Sequence, residues 1–293
     1  MNAQPSRSPR SPDGQARNRS SSSRTPAWAA VIGLTAAGLT VAAVVNHRLA
    51  RKAERDNPPA GQFLSVNGVR LHYVERGSGE PIVLLHGNGS MIQDWVSSGL
   101  LDLAARKYRV LAIDRPGYGH SDRPRHRIWT PEAQADLIHD ALAQLGIERA
   151  TFLGHSWGCS VAVALAHKYP GLVGGLVLAS GYYYPSPRLD VVGMGAPAVP
   201  VLGDILRYTI SPILGRVLWP LLMRTIFGPQ PVPEKFAGFP RAMAVRPSQL
   251  RARCPLRSSW APTTGSSMPR INRPGCTQRS RIAASISCPA WAT

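Results

Sequence analysis

The sequence of 293 residues has few acidic residues, few cysteines and, toward its end, no histidine. No histidine follows His167, and no aspartate or glutamate follows Glu234. These absences leave the last part of the chain without an imidazole or a carboxylate for catalysis. The four cysteines match no metal-binding spacing and make no convincing disulfide framework, so we expect no metal site.

The charge is strongly one-sided, with 34 Lys and Arg against 16 Asp and Glu and a net charge of +18. Such an excess raises the question of a nucleic-acid or anionic-lipid partner. The basic excess is mostly terminal, however, and residues 61–247 contribute only +5 of it. This middle part also lacks a basic stripe interleaved with aromatic residues, so we expect no nucleic-acid partner.

The N-terminal part changes character abruptly. Residues 1–26 are rich in Ser, Pro and Arg and predict a disordered leader. The next run, residues 27–45, begins at Ala27, ends at Val45 and carries no charge; as a helix it reaches about 28 Å, close to a bilayer core. We expect an uncleaved single-pass anchor, with a secretory signal as the alternative. Arginines on both sides leave the orientation open, and residues 46–61 are interpreted as a linker.

Residues 62–181 have the pattern of a folded α/β domain. An Asn67-Gly68 turn between two apolar segments predicts a β-hairpin. Further strands alternate with helices, which predicts a mostly parallel sheet with right-handed crossovers. The predicted strands are 81–85, 108–113, 150–153 and 172–179; the predicted helices are 100–105, 130–145, with Thr130 as its N-cap, and 157–169.

One motif in this domain points to chemistry. Gly154-His155-Ser156-Trp157-Gly158 follows an apolar strand and opens an apolar helix. In this setting a serine is held on a tight turn that presents its hydroxyl as a nucleophile. A serine hydroxyl is a poor nucleophile until a base takes its proton, and no later histidine is there to serve as that base.

The rest of the chain divides into two parts. Residues 182–250 are rich in Pro and Leu and predict a helical cap, either an irregular cover of the sheet edge or a lid over an apolar pocket. Residues 251–293 are rich in Arg, Ser and Pro and are interpreted as an aberrant, disordered tail.

Three motifs in order carry a family resemblance: residues 84–89 (LLHGNG), residues 114–122 (DRPGYGHSD) and the Ser156 pentapeptide. Over residues 62–250 the chain resembles the α/β-hydrolase superfamily, most closely its capped, cofactor-free esterase and haloperoxidase-like branch. The resemblance implies no cofactor and an ester or related small acyl substrate. A serine at position 156 argues against the dehalogenase and epoxide-hydrolase relatives, whose attacking residue is aspartate.

The resemblance also assigns roles to residues. It implies Ser156 as the nucleophile and the backbone N–H groups of Asn88 and Trp157 as the oxyanion hole. Its acid and its histidine belong to two further strands that the sequence does not show. We expect His155 to be structural and to point away from the serine oxygen, and neither His86 nor His120 to be the base.

Other aromatic residues are weaker candidates for the substrate pocket. Trp95 either lines the pocket or anchors its helix. Tyr182, Tyr183 and the adjoining Tyr184 follow the last predicted strand, where they either face substrate or only pack at the edge of the cap.

We interpret the missing groups as the result of a reading-frame shift near residues 251–253. Back-translated and read two nucleotides later, residues 260–265 permit Gly-Ala-Asp-Asp-Arg, and residues 288–293 permit Pro-Gly-Val-Gly-His. Both missing catalytic groups then return in one shared frame; a genuinely divergent tail is the alternative. We therefore expect a membrane-anchored serine hydrolase impaired by loss of its acid and histidine, with a non-catalytic, hydrolase-like binding protein or decayed gene product as the alternative.

Overall fold

A six-stranded sheet forms the centre of the domain. The structure, a computed structural model, describes residues 27–181 and 201–252. Its strands lie in the order β1-β2-β4-β3-β5-β6. The strands are β1 Gln62–Val66, β2 Val69–Arg76, β3 Pro81–Leu85, β4 Arg109–Ile113, β5 Ala150–His155 and β6 Val173–Ala179.

The first two strands form the predicted hairpin. β1 and β2 pair antiparallel, with Val66 opposite Val69. Between them Asn67 and Gly68 both take positive φ, 49° and 74°, which are the angles that a tight hairpin turn of this kind requires. β2 joins the sheet by antiparallel pairing with β4.

The other four strands are parallel, as the alternation of strands and helices predicted. β3 pairs with β4 and with β5, and β5 pairs with β6. The helices of this part are α2 Gln93–Ser97, α3 Leu100–Ala105, α4 Pro131–Gln144 and α5 Trp157–Lys168. The hydroxyl of Thr130 accepts a hydrogen bond from the backbone N–H of Ala133, so the predicted N-cap of α4 is present. Short α2 lay outside the predicted elements.

The two faces of the sheet pack against different helices. On one face Leu85, Leu111 and Phe152 pack with side chains of α4 and α5. On the other face Leu84 and Val110 pack with Trp95 and Leu101 of the α2–α3 region. A sheet covered on both faces holds the carboxyl ends of its strands in fixed positions, and these ends carry the candidate site.

The last strand of the described sheet is only partly covered. All seven residues of β6 are half-buried or exposed, whereas four of the five residues of β4 are buried. Val177 in the middle of β6 is 45% exposed. An apolar parallel strand with this exposure is an unprotected sheet edge.

The N-terminal helix is longer than its apolar run. α1 extends from Ala27 to Asp56, so residues 46–56, interpreted from the sequence as linker, are helical. They contain Ala, Leu, Arg, Lys and Glu, which favour helix, and Pro58 and Pro59 follow the helix end. The described residues fall into two units: residues 27–38, the first turns of α1, and the residues from 39 onward.

In the second unit, α1 packs against the segment predicted as a cap. Residues 201–252 contain the helices α6 Leu202–Tyr208, α7 Ile210–Val217, α8 Trp219–Phe227, α9 Arg241–Ala244 and α10 Pro247–Ala252. Asn46 is fully buried; its amide nitrogen donates to the carbonyl oxygens of Tyr208 (3.0 Å) and Thr209 (2.7 Å). Its amide oxygen accepts from Arg216 at 2.7 Å. Ala53 packs with Met91 and Met243.

The Asn46 contacts predict a measurable contribution to stability. Asn46→Ala removes the donor to the carbonyl groups of Tyr208 and Thr209 and the acceptor of one Arg216 donor. We expect the free energy of unfolding to fall by about 2–3 kcal/mol. Urea unfolding of the full chain in a non-ionic detergent measures this change. His47→Ala, at the exposed neighbouring position, is the control and should change stability by less than about 0.5 kcal/mol. Equal stability of the two variants would contradict the assigned role of Asn46.

Candidate active site

Ser156 lies between the end of β5 and the start of α5. Its backbone has φ 51° and ψ −118°, a region that residues other than glycine rarely occupy. The backbone N–H of Ser156 donates to the carbonyl of Ala179 at 2.8 Å, and its carbonyl accepts from the N–H of Cys159 at 3.1 Å. The serine is thus held in a strained strand-to-helix turn, which the sequence motif predicted.

The two motif glycines make this turn possible. A Cβ on Gly158 would overlap the carbonyl oxygen of Leu85 at the end of β3. A Cβ on Gly154 would lie 2.7 Å from the backbone nitrogen of Cys159. Both positions therefore require glycine because backbone passes against backbone there.

The loop after β3 runs beside Ser156. A Cβ placed on Gly87 would lie only 3.0 Å from the Cβ of Ser156. The next residue, Asn88, is anchored through its side chain: Oδ1 accepts from the Tyr118 hydroxyl at 2.8 Å and from Nη2 of Arg115 at 3.1 Å. The guanidinium of Arg115 also lies over the ring of Trp157, 5.2 Å from its centroid. One buried arginine therefore contacts both residues predicted to form the oxyanion hole.

Arg115 also fixes His86. The backbone N–H of Arg115 donates to His86 Nε2 at 3.0 Å, and its Nε donates to the His86 carbonyl at 2.8 Å. His86 Nδ1 therefore carries the proton and donates to the carbonyl of Gly87 at 2.8 Å. Burial and the positive charge of Arg115 lower the pKa of His86 to about 3. With both ring nitrogens engaged, His86 supports the loop rather than acting as a base.

His155 forms a pair that the sequence did not reveal. Its Nδ1 lies 3.6 Å from Oδ2 of Asp94 on α2, and its ring is nearly perpendicular to that of Trp95 at 6.3 Å. Burial alone would raise the pKa of Asp94, but contact with His155 outweighs it and holds this pKa below its usual range. No signal in the sequence connects the two residues, since their contact depends on tertiary packing.

A second imidazole–carboxylate pair lies in the interior. Asp114 accepts from the ring Nδ1 of His72 at 2.7 Å and from the backbone N–H groups of Ile92 at 2.9 Å and His120 at 3.0 Å. The other ring nitrogen of His72 accepts from the N–H of Gly61 at 3.2 Å. His120 Nε2 lies 3.0 Å from the carbonyl of Asn57. These hydrogen bonds fix the loop after β4.

The described residues place no base at the serine. Within residues 27–181 and 201–252, no hydrogen bond joins the Ser156 hydroxyl to an imidazole. In the same ranges, no group of three or more His, Cys, Asp or Glu residues is arranged to hold a metal ion. Among these residues, the half-buried Ser156 therefore has no hydrogen-bonded imidazole that could take its proton.

Of the weaker candidates for the substrate pocket, Trp95 lies within the described residues. Trp95 is buried and packs with Ile92 and Leu101. In the described part of the chain its indole N–H has no hydrogen-bond partner. Tyr182 and Tyr183, with Tyr184, lie outside the described residues.

Curated sequence relatives match about half of the chain. An uncharacterized protein of Mycobacterium tuberculosis is 35% identical over 176 residues, 58% of this chain and 51% of that protein. The 2-hydroxymuconate semialdehyde hydrolase of Pseudomonas sp. (strain CF600) is 32% identical over 144 residues, 48% of this chain and 51% of that protein. The chain thus spans about half the length of these curated relatives.

A solved structure and a family model also match the chain, and both are of hydrolases with this fold. The structure of the epoxide hydrolase CorEH without ligand is similar, with a TM-score of 0.51, 25% identity and coverage of 67% of this chain and 73% of that chain. The model of the alpha/beta hydrolase fold matches residues 80–267, a range that contains Ser156 and both neighbouring loops. The chain belongs to the α/β-hydrolase fold family.

Proposed function

We propose that the chain has the fold of a serine hydrolase and that this fold is built to act on an ester or related small acyl substrate through Ser156. The observation that carries this proposal is the positive φ of 51° at Ser156, with Gly87 packed directly against it. Strain of this kind at a non-glycine residue is kept where a side chain must be presented in one direction. Serine at this position supports an acyl rather than an epoxide substrate.

The oxyanion hole is proposed to consist of the backbone N–H groups of Asn88 and Trp157. Support comes from Arg115, which contacts the side chains of both residues and restrains the loop and the helix start that carry them. Donors held in place in this way contribute about 3 kcal/mol each to transition-state stabilisation. Trp95, whose indole N–H has no partner among the described residues, is proposed as a substrate contact.

The chain as translated is proposed to have little activity. His86 has both ring nitrogens engaged, and His155 contacts Asp94. No histidine occurs after His167 in the sequence. Without a base the serine reaction retains only the contributions of the oxyanion hole and of binding. A non-catalytic binding role is the alternative.

A frame shift near residues 251–253 is proposed as the origin of this loss. The shifted reading permits an acid and a Gly-His in one frame. The exposure of β6 supports the proposal, because further strands beside β6 would cover Val177.

Attachment to a membrane through residues 27–45 is proposed as well. Within the described residues, α1 is the single straight helix long and apolar enough to cross a bilayer, with a mean hydropathy of 2.0; a signal sequence has the same features. The cap helices α7 and α8 present further apolar surface, including Val217 at 69% and Leu221 at 62% exposure. Large exposed apolar surfaces mark contact with lipid or another protein.

The nucleophile is tested with a fluorophosphonate probe. We expect slow labelling of the folded wild type, because the proposed oxyanion hole is present but the base is not, and none of Ser156→Ala, which lacks the reacting oxygen. Ser160→Ala, one turn further on in α5, is the matched control and should label like the wild type. His155→Gln should also leave labelling unchanged, because His155 is assigned no catalytic role. Labelling that survives in Ser156→Ala excludes this nucleophile, and no labelling of folded wild type favours the binding role.

The frame shift is tested in the gene and in the product. The shifted frame should encode an acid within codons 260–265 and a histidine within codons 288–293. Inserting one nucleotide near codons 251–253 should raise ester hydrolysis about ten-thousand-fold, and Ser156→Ala should abolish the gain. Insertion of three nucleotides, which keeps the original frame, is the control. A shifted frame lacking both groups would refute the proposal.

Membrane attachment is tested by deleting residues 27–45. The full chain should stay in the membrane pellet after carbonate extraction, whereas the deletion variant should appear in the supernatant. Asn46 and its cap contacts remain in the variant, so its melting temperature serves as the control for folding. Recovery of a mature chain that starts near residue 46 would show cleavage of a signal and contradict the anchor.

A further inference from the structure

A cavity of about 560 Å³ lies outside the serine site. It is bounded by the loop after β4, the C-terminal turn of α1 and the helices α6 and α10. Its lining does not include Ser156, Gly87 or Trp157. Six arginines line the cavity, against two carboxylates, Glu54 and Asp122; the arginines are Arg70, Arg123, Arg125, Arg207, Arg246 and Arg251.

Both carboxylates already have a cationic partner. Glu54 Oε1 accepts from Nη1 of Arg246 at 2.8 Å. Asp122 Oδ2 lies 3.7 Å from Nε of Arg70. Both carboxylates of the lining are therefore already paired with an arginine, and the other arginines leave the cavity with an excess of positive charge.

Arg207 adds an independent observation. Its residue is only 2% exposed, and its guanidinium pairs with Asp204 through Nη2. Its Nε, however, has no hydrogen-bond partner in the part of the chain that the structure describes. A buried donor of this kind is costly unless an acceptor meets it. Arg207 thus adds a positive charge to the lining, and the described residues satisfy its donors only in part.

Two less buried arginines approach the same region. Arg125 is exposed and Arg251 is half-buried. Burial, and then the positive charges of Arg207 and Arg125, lower the pKa of Arg251. Cations gathered from α6, α10 and the loop after β4 repel one another, and a bound anion reverses that repulsion.

We propose that this cavity binds a phosphate group. Arginine guanidinium groups donate paired hydrogen bonds whose geometry matches phosphate oxygens, and several around one cavity can neutralise more than one negative charge. The volume falls in the range of about 300–1,000 Å³ typical of small-molecule sites, so the phosphate is carried by a larger molecule. The source is a soluble phosphate ester or an anionic lipid headgroup; α1, which contributes Glu54, also contains the apolar run.

The first experiment titrates the full chain in a non-ionic detergent with pyrophosphate by calorimetry. The double variant Arg125→Gln and Arg251→Gln removes two lining charges without touching the most buried arginines. We expect saturable binding to the wild type and an affinity about tenfold or more weaker in this variant. The control, Arg106→Gln with Arg224→Gln, removes the same charge at exposed positions outside the lining. The control should bind like the wild type.

Two results overturn the proposal. One is the absence of saturable binding to the wild type. The other is equal weakening in the lining and control variants, which would show only a general effect of net charge. Neither result bears on Ser156, because labelling of the serine is measured separately.

The second experiment distinguishes the two sources of phosphate. The full chain is placed in phosphatidylcholine nanodiscs with or without phosphatidic acid, and hydrogen exchange of residues 121–125 and 246–252 is followed. Protection by phosphatidic acid that is lost in the Arg125/Arg251 double variant assigns a lipid headgroup. Protection by added pyrophosphate but not by phosphatidic acid assigns a soluble phosphate ester. Exchange that neither ligand changes contradicts the site.

Discussion

The candidate site depends on one close approach of two backbones. At the end of β3 the carbonyl of Leu85 lies so near Gly158 that no side chain fits between them. This contact lets α5 begin directly over the carboxyl ends of β3 and β5. Ser156, at the start of α5, and Gly87, after β3, then lie side by side, and the serine is forced to positive φ. A larger residue at position 158 would separate helix from sheet and remove the geometry on which every proposed role of Ser156 rests.

Arg115 is the second constraint, since it is a cation buried in the domain. Taking a guanidinium out of water is unfavourable unless its donors are satisfied. Arg115 spreads its donors over the carbonyl of His86 and the side chains of Gln134 and Asn88. These partners belong to the loop after β3 and to α4, so the need to satisfy one charge fixes the loop that carries the proposed oxyanion donor. The rigidity of the site thus follows from an interaction that contributes nothing directly to the reaction.

The sequence predicted the features that local signals determine. The Asn67-Gly68 turn, the Thr130 cap and the Ser156 turn each depend on a few neighbouring residues, and the structure contains all three. Pairings between distant residues had no such signal, and neither the His155 contact with Asp94 nor that of His72 with Asp114 was predicted. The predicted helix was also too short. Its end was placed at Val45, where the apolar run ends, but the polar residues that follow also favour helix, and α1 extends to Asp56.

The distribution of charge in space, like the pairing of distant residues, could not be predicted from the sequence. Residues 61–247 are close to neutral in sum, and no basic stripe appears along them, which argues against a nucleic-acid partner. A sum over a segment, however, says nothing of where its charges lie in space. Folding brings Arg70, Arg123 and Arg207, separated along the chain by other residues, to one cavity wall, while acidic residues such as Asp102 and Asp136 pair elsewhere with Arg76 and Lys168. Local excess charge therefore arises from a nearly balanced sequence, and it is the local charge that an anionic ligand meets.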